Sequence, residues 1–274
     1  MQKVEGPKRL WRENLSPRMS AALRLADRTL KYGFREVLST LSVTTYHPMG
    51  WSWEYFKERI EIRFNEPRAA SLDVQLHSPI MLVHGISHNS SAFYKFKTLA
   101  KKRGFRNINT LELYTTLQDL NSMSQKLIDQ VKRQFLEHQE SYGPGKVRII
   151  AHSLGGMVLR AALLRGGFED YVDRIIFLGV PHQGNFLYNF PVFPALKDLT
   201  PNAALMKKIK ATPLPGGIEY WNIRGMLDVV TPARDTFLPS VPNLSFINVG
   251  HAGMLRNAEV LEAVLNILQE DGRS

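Results

Sequence analysis

The stretch VRIIAHSLGGMVLRAA, Val147 to Ala162, constrains the fold more than any other part of the chain. Val147, Ile149 and Ile150 are apolar and β-favouring, as expected of a strand buried on both faces. A few residues later the period changes. Met157, Val158, Ala161, Ala162 and Leu164 recur at helical spacing. Only Ser153-Leu154-Gly155-Gly156 joins the two, so strand and helix run close together through a tight turn. Ser153 at that turn has two readings. It is the nucleophile of an elbow of the G-x-S-x-G kind, with Ala151 and Gly155 as the small flanking residues. Or it caps the helix through its hydroxyl.

The chain beyond this point supports an α/β architecture. From Ser78 onward strands and helices alternate. PIMLVHG precedes a helix near SAFYKFKTLAKKRG, and NINTLELY precedes one across SQKLIDQVKRQFLEHQ. VDRIIFLGVP, IEYWNIRG and LSFINVG follow as strands, and AEVLEAVLNILQ closes as a helix. Such alternation predicts a mainly parallel sheet with helices on both faces. Functional residues then gather at the carboxyl ends of the strands.

Those ends carry the chemistry. PIMLV leads into His84-Gly85-Ile86-Ser87, and KVRII into Ser153. EYWNIRG is followed by Asp228 and LSFINVG by His251. Serine, acid and histidine in that chain order match the triads of α/β-hydrolases. A serine hydroxyl is a weak nucleophile until an imidazole takes its proton. The imidazole in turn needs a carboxylate to hold its tautomer and stabilise its charged form. Ser153 is therefore the expected nucleophile, His251 the general base and acid, and Asp228 the orienting acid. Asp228 is preferred to Asp198, Glu219 and Asp235 because it alone follows directly on a strand end. The backbone N–H groups of Leu154 and Ile86 are the expected oxyanion donors, with Gly85 allowing close backbone approach.

The remaining histidines have structural readings. His84 is expected to hydrogen-bond within the oxyanion loop, and His152 lies inside the elbow. His84 and His88 do not have a helix to make them a metal pair, and His182 in VPHQG reads as a packing residue. No phosphate-binding or dinucleotide glycine motif occurs. No metal and no cofactor are expected.

LVHGI, AHSLGG, VPHQG, DVVTP and GHAGML together resemble bacterial lipases and esterases of the α/β-hydrolase fold, including a branch with alanine before the A-H-S-x-G elbow. The resemblance runs from Pro79 to Gln269, about 70% of the chain. It implies hydrolysis of carboxylic esters through an acyl-serine intermediate, with Ile86 and Leu154 at the matching oxyanion positions. It also implies a cap or lid inserted at about residues 184–217. There Phe186, Leu187, Phe190 and Phe193 are too apolar for an idle surface loop. They are candidates for an acyl-chain pocket or lid, which favours a lipid-like ester as substrate. The same triad also serves an acyltransferase, and a degenerate hydrolase fold can serve as a binding module.

Residues 1–70 are a separate basic extension, ahead of a catalytic domain over 71–274. The net charge is +10, and residues 1–35 hold nine Lys and Arg against three acids, or +6 of it. Met19, Leu23, Ala26, Leu30, Phe34, Val37 and Leu41 line one face of a predicted helix. That face either docks on the protein's own core or lies on an anionic membrane through residues 1–45. Nucleic acid is not an expected partner, because charge alone points to it. The first residues contain no apolar signal core, and no apolar run approaches the roughly eighteen residues of a membrane span. A cytoplasmic location, with peripheral membrane contact as an option, is the expectation. There is no cysteine, so disulfides and thiolate chemistry are excluded.

Overall fold

The computed structural model describes residues 78–185 and 194–270. The basic extension, its predicted amphipathic helix, and Phe186, Leu187, Phe190 and Phe193 all lie outside the described residues.

Among the described residues six strands form one sheet: β1 (Ile80–Val83), β2 (Ile108–Leu111), β3 (Val147–His152), β4 (Val172–Leu178), β5 (Glu219–Gly225) and β6 (Asn243–Phe246). Their order is β2-β1-β3-β4-β5-β6, and every neighbouring pair is parallel. The described residues also form five α-helices: α1 (Tyr94–Lys102), α2 (Leu120–Tyr142), α3 (Leu154–Arg165), α4 (Ala204–Ala211) and α5 (Ala258–Gln269). The expectation of an α/β-hydrolase sheet is met.

Side-chain alternation splits the core into two layers. Met81, Val83, Ile149, Ala151, Ile175 and Phe177 face the cluster built with α2 and α3. Ile80, Leu82, Ile150, Ile176 and Leu178 face the other, built with α1 and α5. Because both faces are covered, the middles of the central strands, IMLV, IIA and IIFL, are apolar on both faces rather than alternating. Each fully buried aliphatic side chain contributes about 1.5–3 kcal/mol.

Local chemistry sets the helix ends. The Asp119 carboxylate accepts the Ser122 N–H at 2.7 Å and starts α2 four residues earlier than the apolar pattern alone predicts. Gly143, at φ 86°, ends it. At the amino end of the sheet, two buried arginines hold the last turn of α5. Arg148 donates to Leu268 O at 2.7 Å, and Arg174 donates to Ile267 O and to Glu270 O. Cations there also suit the negative end of the helix.

β2 and β6 are four residues each, shorter than NINTLELY and LSFINVG read. Among the described residues each pairs with one neighbour, β2 with β1 and β6 with β5. In the region expected as a cap, the described residues form a 3₁₀ turn at Pro194–Leu199 and helix α4. Ala195, Leu199, Met206 and Ile209 from these pack into the α2–α3 core layer.

Candidate active site

The site is built from three strand ends on the carboxyl side of the sheet. β3 delivers Ser153, the loop after β5 delivers Asp228, and the loop after β6 delivers His251. All three are buried.

Ser153 has φ 52° and ψ −124°. A non-glycine residue there carries roughly 1–3 kcal/mol of backbone strain, which persists only where the surroundings enforce it. The enforcement is visible. Ser153 N–H donates to Leu178 O on β4 at 3.0 Å. Behind it, a Cβ on Gly155 would meet the carbonyl oxygens of His84 and Val83 at 2.5 and 2.6 Å, so α3 begins in contact with the end of β1. The capping reading of Ser153 does not hold, since its side chain caps nothing. Its Oγ lies 2.8 Å from His251 Nε2 instead.

His251 Nδ1 lies 2.7 Å from Asp228 Oδ2. The other carboxylate oxygen, Oδ1, accepts the N–H groups of Val230 at 2.9 Å and Thr231 at 2.7 Å. These bonds fix the carboxylate plane. The other acids are occupied elsewhere. Glu219 pairs with Arg174, Asp235 with Arg234, and Asp198 is exposed.

Thr231 stands within DVVTP, but nothing in the sequence assigns it a role. Thr231 Oγ1 is 2.7 Å from Asp228 Oδ2 and 3.0 Å from both His251 Nδ1 and Gly179 O. A hydroxyl has a single proton. Of the two acceptors the Asp228 carboxylate is both nearer and charged, and so the stronger. The proton therefore goes to Asp228, and the hydroxyl lone pair accepts part of the His251 Nδ1–H.

The two expected oxyanion donors lie close to the serine. Leu154 is the first residue of α3, at the positive end of the helix dipole. Ile86 follows Gly85, where an added Cβ would stand 3.0 Å from Ser153 Cβ. Neither N–H has an acceptor among the described residues. His84 does bond within this loop, from Nδ1 to Gly85 O at 2.9 Å. It also reaches past β2, where its Nε2 accepts the Leu113 N–H at 3.1 Å.

His182 is a packing residue, as read. Its Nε2 lies 3.3 Å from Asn222 Oδ1 and its Nδ1 3.5 Å from Arg160 Nη1, both buried. Burial, and then the Arg160 guanidinium, push its pKa down to about 3. Among the described residues no cluster of three or more His, Asp or Glu could hold a metal ion. Nor, among them, is any helix long and apolar enough to cross a membrane.

A parallel six-stranded sheet with a serine on the strained β3–α3 turn defines an α/β-hydrolase. The chain matches the palmitoyl protein thioesterase family across residues 79–240, more than half its length, and belongs to that family. Membership of that family makes it a hydrolase. Among solved structures it is similar to the mature form of the Bacillus licheniformis lipase BlEst2, with 18% identity and a TM-score of 0.59. That match covers 74% of this chain and 96% of the lipase. It is also similar to the phospholipase PlaB of Legionella pneumophila, with 13% identity and a TM-score of 0.59 over 72% of this chain. It spans 61% of that phospholipase. At such identities these likenesses show a shared fold.

Proposed function

We propose that this protein hydrolyses lipid-like acyl esters, oxygen esters or thioesters, through an acyl-Ser153 intermediate. The observation that carries the reading is the line of contacts from Ser153 Oγ to His251 Nε2 and from His251 Nδ1 to Asp228, at 2.8 and 2.7 Å.

In this reading the Ser153 hydroxyl donates to His251 Nε2 and attacks the acyl carbon as the imidazole takes its proton. Asp228 holds the Nδ1–H tautomer and stabilises the imidazolium. The carbonyl oxygen becomes an oxyanion facing the N–H groups of Ile86 and Leu154. His251 then protonates the departing alcohol or thiol. A water activated by the same imidazole cleaves the acyl-serine and regenerates the hydroxyl.

The lipid-like substrate rests on the apolar segment with Phe186, Leu187, Phe190 and Phe193 inside a cap of about residues 184–217. It also rests on the family, whose name denotes a palmitoyl thioester. Residues 1–45, basic and amphipathic in sequence, are assigned to contact with an anionic membrane surface. Initial rates on acetyl, octanoyl and palmitoyl esters and on the palmitoyl thioester test the reading. Long chains should be favoured, and Ser153→Ala should lose at least about 1,000-fold on each. Equal rates on all chain lengths would remove the lipid-like substrate. Product analysis with a competing alcohol distinguishes hydrolysis from acyl transfer.

A further inference from the structure

His152 precedes the serine at the end of β3, and its ring is completely buried. It lies against His251, with ring centroids 4.7 Å apart, and stacks on His88 at 5.8 Å with the planes 10° apart. Its Nε2 is 3.3 Å from the backbone carbonyl oxygen of His251. A carbonyl only accepts, so Nε2 must carry the proton and Nδ1 must be the bare nitrogen. That Nδ1 is buried without a hydrogen-bond partner, against Gly85. The ring thus has one polar contact, and it is made to the residue that holds the general base.

We infer that His152 is a positioning residue that holds the backbone of His251 in place, fixing Nε2 of that residue at the Ser153 hydroxyl. The inference rests on the triad reading above. Its physical basis is topological. Ser153 leaves β3, while His251 follows β6, with β4 and β5 between them in the sheet. Asp228 and Thr231 fix the ring of His251 from one side only, through Nδ1. The His152 bond ties the backbone of the same residue to the position beside the nucleophile. An error in the β6 loop is therefore not passed to the distance between Nε2 and Oγ. The groups facing the His152 ring are the imidazoles of His251, His88 and His84. Burial, followed by the nearness of His251, His88 and then His84, holds its pKa well below that of a free histidine. A neutral ring keeps the clamp in a single tautomer and adds no charge next to the imidazolium that forms on His251.

Two variants isolate the bond. His152→Gln places an N–H close to that of the ring Nε2, whereas His152→Met fills similar space and has no donor. Acylation rates with a fluorophosphonate and kcat on a fast ester should fall about 100-fold in His152→Met, with KM little changed. His152→Gln should recover most of that loss, to within about fivefold of wild type. Equal loss in both variants, or no loss in either, would overturn the inference. So would a loss that merely follows the midpoint of thermal unfolding. A measurement on wild type needs no variant: ring ¹⁵N shifts should report His152 neutral with the proton on Nε2 from about pH 5.5 to 8. A proton on Nδ1, or a charged ring in that range, would contradict it. Failure of wild type itself to react with the probe would instead count against the triad reading.

Discussion

The Thr231 hydroxyl stands 2.7 Å from the Asp228 oxygen that faces His251, and 3.0 Å from His251 Nδ1. It thus donates to the acid and accepts from the base at one corner of the site. Thr231→Val keeps the shape and removes the hydroxyl. kcat should fall roughly 10-fold with KM unchanged, because orientation of His251 loosens while substrate binding does not. Thr231→Ser should recover most of the rate. Steady-state kinetics on one ester check this, and equal kcat in Thr231→Val and wild type would remove Thr231 from the site's function.

The two glycines after the serine should respond differently to an added methyl. In Gly155→Ala the Cβ meets backbone oxygens of β1, which cannot move without displacing the strand. In Gly156→Ala it meets Val180 Cγ2 at 2.1 Å, a side chain that can be trimmed. Each substitution should cost about 1–3 kcal/mol or more. Adding Val180→Ala should return part of the loss in Gly156→Ala and none in Gly155→Ala. Chemical denaturation of the two single and two double variants measures this, and equal rescue in both would contradict the packing described.

Stability should fall on acidification through the buried histidines. His182 is neutral in the folded protein, with its pKa lowered to about 3, and the His152 pKa is lowered in the same direction. Unfolded, both return to the ordinary value near 6.5. The unfolded chain therefore binds more protons below that pH. The contribution of both groups is complete above about 6.5 and is lost as the pH falls below it, for His182 down to about 3 at up to about 1.4 kcal/mol per pH unit. Urea unfolding at pH 7 and pH 5 should show the drop, and His182→Gln should reduce it. An unchanged drop in that variant would mean His182 takes up its proton without unfolding.

What the sequence revealed follows from which interactions are local. β1, β3 and β4 are legible because a strand covered on both faces is apolar through its middle, as IMLV, IIA and IIFL are, with Arg148 and Arg174 confined to the amino ends. Asp228 and His251 are legible because parallel topology sends every such strand end to the same side. β2 and β6 are less so, since where they end depends on pairing with a strand distant in the chain. Thr231 and His152 stand within DVVTP and AHSLGG, but their contacts leave no pattern in the chain. Each acts on a residue brought near by the loops after β5 and β6, 20 and 99 positions away respectively. The start of α2 was missed for a smaller reason: the Asp119 cap recruits a turn ahead of the first predicted residue.

The most direct test of the account is reaction of wild type, Ser153→Ala and His251→Ala with a fluorophosphonate, read by intact mass with and without liposomes. Wild type should give one adduct and Ser153→Ala none, with labelling slowed by at least about 100-fold in His251→Ala. No adduct on folded wild-type protein under either condition, or an adduct that persists in Ser153→Ala, would contradict it.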